Sequence, residues 1–143
     1  MNAHAKRSGG CLCGAVRYEL SLGEPKFDVC HCAMCRRWSA GPFMGVHCQR
    51  PATMTKDEGL QWYRSSQWAE RGFCSRCGTS LFWRLAENPQ VFSASIDSLD
   101  DADGLELDRH FFSDSKPARY AFADARPRVT AAELMAEFGF SPD

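Results

Sequence analysis

Cys11-Leu12-Cys13-Gly14-Ala15-Val16-Arg17-Tyr18-Glu19-Leu20 joins two signals in one short stretch. Two thiols one residue apart, flanked by Gly9, Gly10 and Gly14, run into an alternation. Val16, Tyr18 and Leu20 fall on one face and Arg17 and Glu19 on the other, the period of a half-buried strand. A strand that starts on a pair of thiols reads as a metal-clipped β domain.

Outward from that stretch the cysteines recur in tight clusters. Cys30-x-Cys32-x-x-Cys35 and Cys74-x-x-Cys77 follow, with Cys48 standing alone among the eight. Close pairs converge well on one ion about 2.3 Å from each sulfur, so the spacing predicts metal rather than disulfides. Met1 to Gly10 carries Lys6 and Arg7 with no hydrophobic run behind them, so no secretory signal is read there. The expectation is a reducing cytoplasm, where thiols stay reduced.

The alternation continues along the chain. Gly23 and Pro25 are expected to end the first strand, and a short piece around Phe27-Asp28-Val29 leads into the central cysteines. Pro42 to Gln49, Leu60 to Tyr63, Gln67 to Phe73, Thr79 to Leu85 and Val91 to Ile96 read as further strands, with a short extended piece at His110 to Phe112. One helix is expected, where Thr130-Ala131-Ala132-Glu133 forms a capping box ahead of Leu134, Met135 and Phe138 and Gly139 stops it. The fold class is mainly β, with a short C-terminal helix. The expected organisation is a tail over 1–8, a zinc-binding domain over 9–125 and an extension over 126–143.

At 143 residues there is room for one core. A formal net charge of −1 gives no electrostatic footprint for nucleic acid. No apolar stretch reaches the roughly 20 residues that span a bilayer, so neither nucleic acid nor membrane is expected as a partner. Oligomeric state is not legible.

Cys74-Ser75-Arg76-Cys77-Gly78 is a knuckle whose glycine suits a positive φ. Its two thiolates half fill a tetrahedral zinc, and Cys11 and Cys13 are candidates for the other half. Cys30, Cys32 and Cys35 offer three thiolates, and three protein ligands with one open position is the arrangement of a catalytic zinc. His31, His47, Cys48 or His110 could instead close that site. The expected cofactor is two Zn2+ ions.

The clusters together resemble the glutathione-dependent formaldehyde-activating enzyme family, also called the GFA or centromere protein V domain. The likeness runs through Gly10 to Glu19, Cys30-His31-Cys32-Ala33-Met34-Cys35-Arg36-Arg37 and Phe73 to Gly78, and more weakly through Ser95 to Asp100 and His110 to Pro117. Where the family places an aromatic after its Ser-Lys pair, this chain has Arg119, with Tyr120 next. The resemblance implies a β-tent fold of twisted antiparallel sheets. It implies a structural zinc on Cys11, Cys13, Cys74 and Cys77, and a second, lower-coordinate zinc on Cys30, Cys32 and Cys35. It also implies a carbon–sulfur lyase that handles the adduct of a thiol, glutathione, with formaldehyde.

Arg36, Arg37, Arg64 or Arg71 could bind a glutathione carboxylate in fork geometry, against the plainer reading of solvated surface charge. His31 is read mainly as a backbone-bonding residue, with a base as the alternative. Trp62, Trp68, Trp83 and Phe82 are read as core ahead of pocket wall. Two other function classes stay open. One is a non-catalytic binding module held by two closed zinc sites. The other is a methionine-sulfoxide-reductase-like thiol enzyme, for which Cys48 is the spare cysteine.

Overall fold

The structure is a computed structural model that describes residues 6–139. It is built on one long strand. β1 (Lys6–Gly10) leads into the Cys11–Gly14 turn, and β2 (Arg17–Cys30) then runs for 14 residues. The alternation read from the sequence is realised in it, since Tyr18 and Leu20 are buried and Glu19 is exposed. β1 takes in Lys6 to Ser8, inside the stretch expected as tail.

Gly23 and Pro25 do not end β2, which corrects the sequence expectation. The register against its neighbour shifts between Leu22 and Phe27, so the chain absorbs both residues in a bulge and continues. That irregularity divides the strand's duties. Its first half pairs antiparallel with β1 and with β4 (Thr53–Lys56). Its second half pairs antiparallel with β3 (Phe43–Cys48) and parallel with β9 (Glu106–Phe111).

From β3 the sheet continues through β8 (Phe92–Ser95), β7 (Ser80–Leu85) and β6 (Ala69–Cys74) to β5 (Leu60–Arg64). On the other side β10 (Arg128–Val129) adds to β9 in parallel. The architecture is therefore mainly β with a mixed sheet, antiparallel except along β9. β1 and β4 escaped the sequence reading because Lys6–Gly10 and Thr53–Lys56 carry almost no apolar side chains to alternate.

Two α-helices complete the fold among the described residues. α1 (Ala33–Ser39) was not expected, and its reason lies in the cysteine cluster itself. The Cys32 sulfur accepts the Cys35 N–H at 3.3 Å and caps the helix, which ends at Ala40 with φ 57°. α2 (Ala131–Phe138) begins at Thr130 with the expected reciprocal capping box and stops at Gly139, φ 73°.

The core lies between the layers that share β2. Val16, Tyr18, Leu20 and Leu22 pack there with Val46, Leu81, Phe82, Phe92, Ala94 and Ile96. Tyr18 meets Phe82 edge to face at 4.9 Å, and its hydroxyl is satisfied by Ser98. Trp62 stacks on Phe82 at 6.0 Å, with the Arg84 guanidinium 3.6 Å from its ring centre, and both rings pack in or against the core as expected.

Candidate metal centre

The fold brings the cysteines together as two separate sets. Cys11 and Cys13 sit on the turn between β1 and β2, Cys74 ends β6, and Cys77 lies in the turn before β7. Their four sulfurs lie within 4.8 Å of one another. Cys11–Cys13 and Cys13–Cys74 are 3.7 and 3.8 Å apart. A tetrahedron with bonds of about 2.3 Å has an edge of about 3.8 Å, so the spacing is that of zinc ligands. A disulfide would need about 2.05 Å.

The surroundings support the same chemistry. The Val16 N–H donates to Cys11 Sγ at 3.3 Å, and the Thr79 hydroxyl lies 3.2 Å from Cys77 Sγ. The bond from Thr79 holds the Cys77 thiol down to about 5. Gly14 and Gly78, which follow the second cysteine of each pair, adopt φ of 83° and 80°, the left-handed turn expected of a knuckle. Gly59 leaves room for the cluster, since a Cβ there would come 2.7 Å from Cys74 Sγ.

The second set is Cys30 at the end of β2, Cys32 at the cap of α1 and Cys35 within α1, again with sulfurs inside 4.8 Å. Hydrogen bonds from Cys30 and Cys35 draw the Cys32 thiol down, and the charge of Arg71 adds to the effect. Arg71 is only 2% exposed. It donates to Cys35 Sγ at 3.3 Å and to Ser65 Oγ at 3.1 Å, with its guanidinium 5.2 Å from the Trp38 ring centre. A buried cation against three sulfurs offsets the negative charge that metal-binding thiolates carry.

None of the four residues considered as a closing ligand joins this group among the described residues. His31 turns away from the sulfurs. Its Nε2 bonds His110 Nδ1 at 2.8 Å and its Nδ1 bonds the Tyr120 hydroxyl at 2.8 Å. His110 Nε2 in turn bonds the Asp124 carboxylate at 3.0 Å. Burial, reinforced by His110 and neighbouring cations, holds the His31 imidazolium down to about 4, so the ring is neutral near pH 7. This chain of bonds fixes the backbone between Cys30 and Cys32. Tyr120, one residue past the expected aromatic position, stacks on His31 at 5.6 Å.

Cys48 packs against the core, and burial pushes its thiol up to about 12. His47 instead pairs with the buried Asp28 carboxylate, which also accepts the Arg109 N–H at 3.1 Å.

The trio borders a cavity of about 100 Å3. Phe43, Trp68, Trp83, Phe111, Leu134 and Phe138 line it, with Asp28, His47 and Arg71 among its polar groups. Trp68 and Trp83 thus belong to a pocket wall rather than to the core, a correction to the sequence reading. Of the four arginines considered for a carboxylate, three are engaged internally. Arg36 donates to the His31 carbonyl, Arg64 to the carbonyls of Ser66 and Gln67, and Arg71 to Cys35. Arg37 is exposed on α1.

Residues 6–115 match the sequence model of the family described as glutathione-dependent formaldehyde-activating enzyme. A Schizosaccharomyces pombe protein named as an uncharacterized lyase is 34% identical over 129 residues, covering 89% of this chain and 93% of its own. A Halomonas elongata protein named for glutathione-dependent formaldehyde activation is 30% identical over 102 residues, 63% of this chain and 65% of its own. A Rhodobacter sphaeroides crystal structure superposes with a TM-score of 0.56 at 24% identity, covering 70% of this chain and 98% of that one, and shares the fold. Among the described residues no helix is long and apolar enough to cross a membrane.

Proposed function

Because the chain belongs to the glutathione-dependent formaldehyde-activating enzyme family, we propose that it is a zinc-dependent carbon–sulfur lyase acting on the adduct of a thiol with a small aldehyde. The observation that carries this reading is the set of three cysteine sulfurs gathered at the edge of an apolar cavity. In it, Cys11, Cys13, Cys74 and Cys77 hold a structural zinc, and Cys30, Cys32 and Cys35 hold the catalytic one.

A zinc held by three thiolates would supply a Lewis acid that keeps a fourth, substrate sulfur deprotonated and nucleophilic near neutral pH. The residues of the chain do the rest. Arg71 balances the negative charge of the trio from behind Cys35. The His31–His110–Asp124 chain keeps the Cys30–Cys32 backbone in place. The aromatic wall excludes water from the space where thiol and aldehyde meet. In the forward direction the sulfur attacks the carbonyl carbon, the C=O π pair moves to oxygen, and the thiol's proton ends on that oxygen. Reversal breaks the same C–S bond. Thiols add to formaldehyde unaided, so the expected contribution is orientation more than barrier lowering.

Glutathione is the thiol to test first. Exchange NMR on mixtures of glutathione and formaldehyde reads the rate at which S-(hydroxymethyl)glutathione forms and breaks. The two-zinc protein is expected to raise it at least tenfold, and Cys32→Ser is expected to lose both the acceleration and one zinc per chain. Exchange at the uncatalysed rate in the fully metallated protein would end the lyase reading. The reductase reading finds no support in the surroundings of Cys48, whose thiol is held protonated by burial.

A further inference from the structure

We infer that the cavity beside Cys30, Cys32 and Cys35 receives an apolar substituent of the aldehyde, of isobutyl to phenyl size, so that the preferred substrate is an adduct bulkier than that of formaldehyde. The inference rests on the lyase reading for the identity of the reacting groups and on the cavity itself for their size. Formaldehyde carries only hydrogens on its carbon, and its hydroxymethyl adduct would touch little of the wall formed by Phe43, Trp68, Trp83, Phe111, Leu134 and Phe138. The cavity measures about 100 Å3. An apolar cavity of roughly 150 Å3 holds benzene, so a single ring is the upper limit of what fits here and a branched alkyl group lies within it.

The charged groups Arg71 and Asp28 at this wall are already engaged. Arg71 is turned onto Cys35, and Asp28 is bonded to His47 and to the Arg109 N–H. What the wall offers an incoming group is therefore chiefly aromatic and aliphatic surface, whose favoured occupant is apolar.

Part of the wall comes from beyond the segment that the family model matches. The match to the family ends at residue 115, whereas Leu134 and Phe138 come from α2. α2 is seated deliberately. Arg109 makes a two-pronged ion pair with Glu137 at 2.9 and 3.0 Å, the Ala131 N–H donates to Asp114 at 2.9 Å, and Phe138 meets Phe111 edge to face at 6.5 Å. The chemistry stays that of hemithioacetal formation. One S–C bond forms, the carbonyl π pair goes to oxygen, the thiol proton follows it, and nothing is oxidised or reduced.

Two measurements on the two-zinc protein test this. In the first, 4-fluorobenzyl alcohol is titrated and followed by 19F NMR. Saturable binding is expected, weakened about tenfold or more by Leu134→Trp, which fills the space. Val91→Phe, also at the wall, repeats the test should the tryptophan unseat α2. Absence of saturable binding, or binding untouched by both variants, overturns the inference. In the second, exchange with glutathione is compared for formaldehyde, 3-methylbutanal and benzaldehyde, each against its uncatalysed rate. The acceleration is expected to be about ten- to a hundredfold greater for the two larger aldehydes. An ordering with formaldehyde first overturns the inference and leaves the lyase reading intact. Probe binding without acceleration of any aldehyde upholds the apolar pocket and ends the lyase reading instead.

Discussion

At the scale of single residues, the eight cysteines divide by environment rather than by sequence position. Seven meet in two groups with metal-ligand spacing, and Cys48 lies apart against the core. Because burial holds the Cys48 thiol at about 12, Cys48→Ser is expected to leave the exchange rate within about twofold of the parent, and a larger loss would give Cys48 a part in the chemistry that this account denies it. Arg71 is the residue whose loss should be felt at the second site without removing a ligand. Arg71→Leu takes away the buried charge beside Cys35, and chelator competition should show zinc held about 10- to 100-fold less tightly there. Much of this was legible beforehand. Short spacings between thiols encode shared ligands directly, so the grouping of Cys11, Cys13, Cys74 and Cys77 follows from local sequence plus one long-range pairing. The partners of His31 were not legible, because His110, Tyr120 and Asp124 reach it from 79 or more residues away or through one another.

At the scale of elements, the main surprise is that a candidate metal-ligand residue, Cys32, shapes the secondary structure. α1 has seven residues and no apolar period, so nothing but the Cys32 cap announces it. The wall tryptophans were misplaced for a related reason. Trp83 pairs with Arg71 across β6 and β7, and the register shifts between Gly72 and Phe73, so which face it shows depends on a bulge that spacing does not reveal. α2, by contrast, was readable from its capping box, which the structure forms in full. Thr130→Ala should cost about 1 kcal/mol in urea unfolding by removing that cap. The same substitution should loosen Leu134 and Phe138, so weaker 4-fluorobenzyl alcohol binding is expected to accompany it. Gly59→Ala tests the first site's close packing. Its Cβ would meet Cys74 Sγ and the Ala15 Cβ inside 3 Å, and a loss of about 1–3 kcal/mol is expected.

At the scale of the whole molecule, β2 carries both sites. Its first half follows Cys11 and Cys13, and its last residue is Cys30. The two clusters nevertheless have different consequences for folding. The four-cysteine set ties the β1–β2 turn to the end of β6 and the turn before β7, so a metal there closes a loop of some sixty residues. Binding free energies of roughly 10–16 kcal/mol are known for structural zinc, as large as the whole stability of a small domain. Cys74→Ser with Cys77→Ser should therefore abolish cooperative thermal unfolding. Cys30→Ser with Cys32→Ser should retain it, because the trio lies within one strand end and one short helix.

The central claim is that the second zinc takes a substrate sulfur while the first does not. X-ray absorption at the zinc edge, recorded as glutathione is titrated into the two-zinc protein, tests it most directly. Seven cysteines over two ions give an average of about 3.5 sulfurs per zinc, which one added thiolate raises to about 4. A saturable rise to that value is the expected result. A sulfur count that stays unchanged at saturating glutathione would contradict the account.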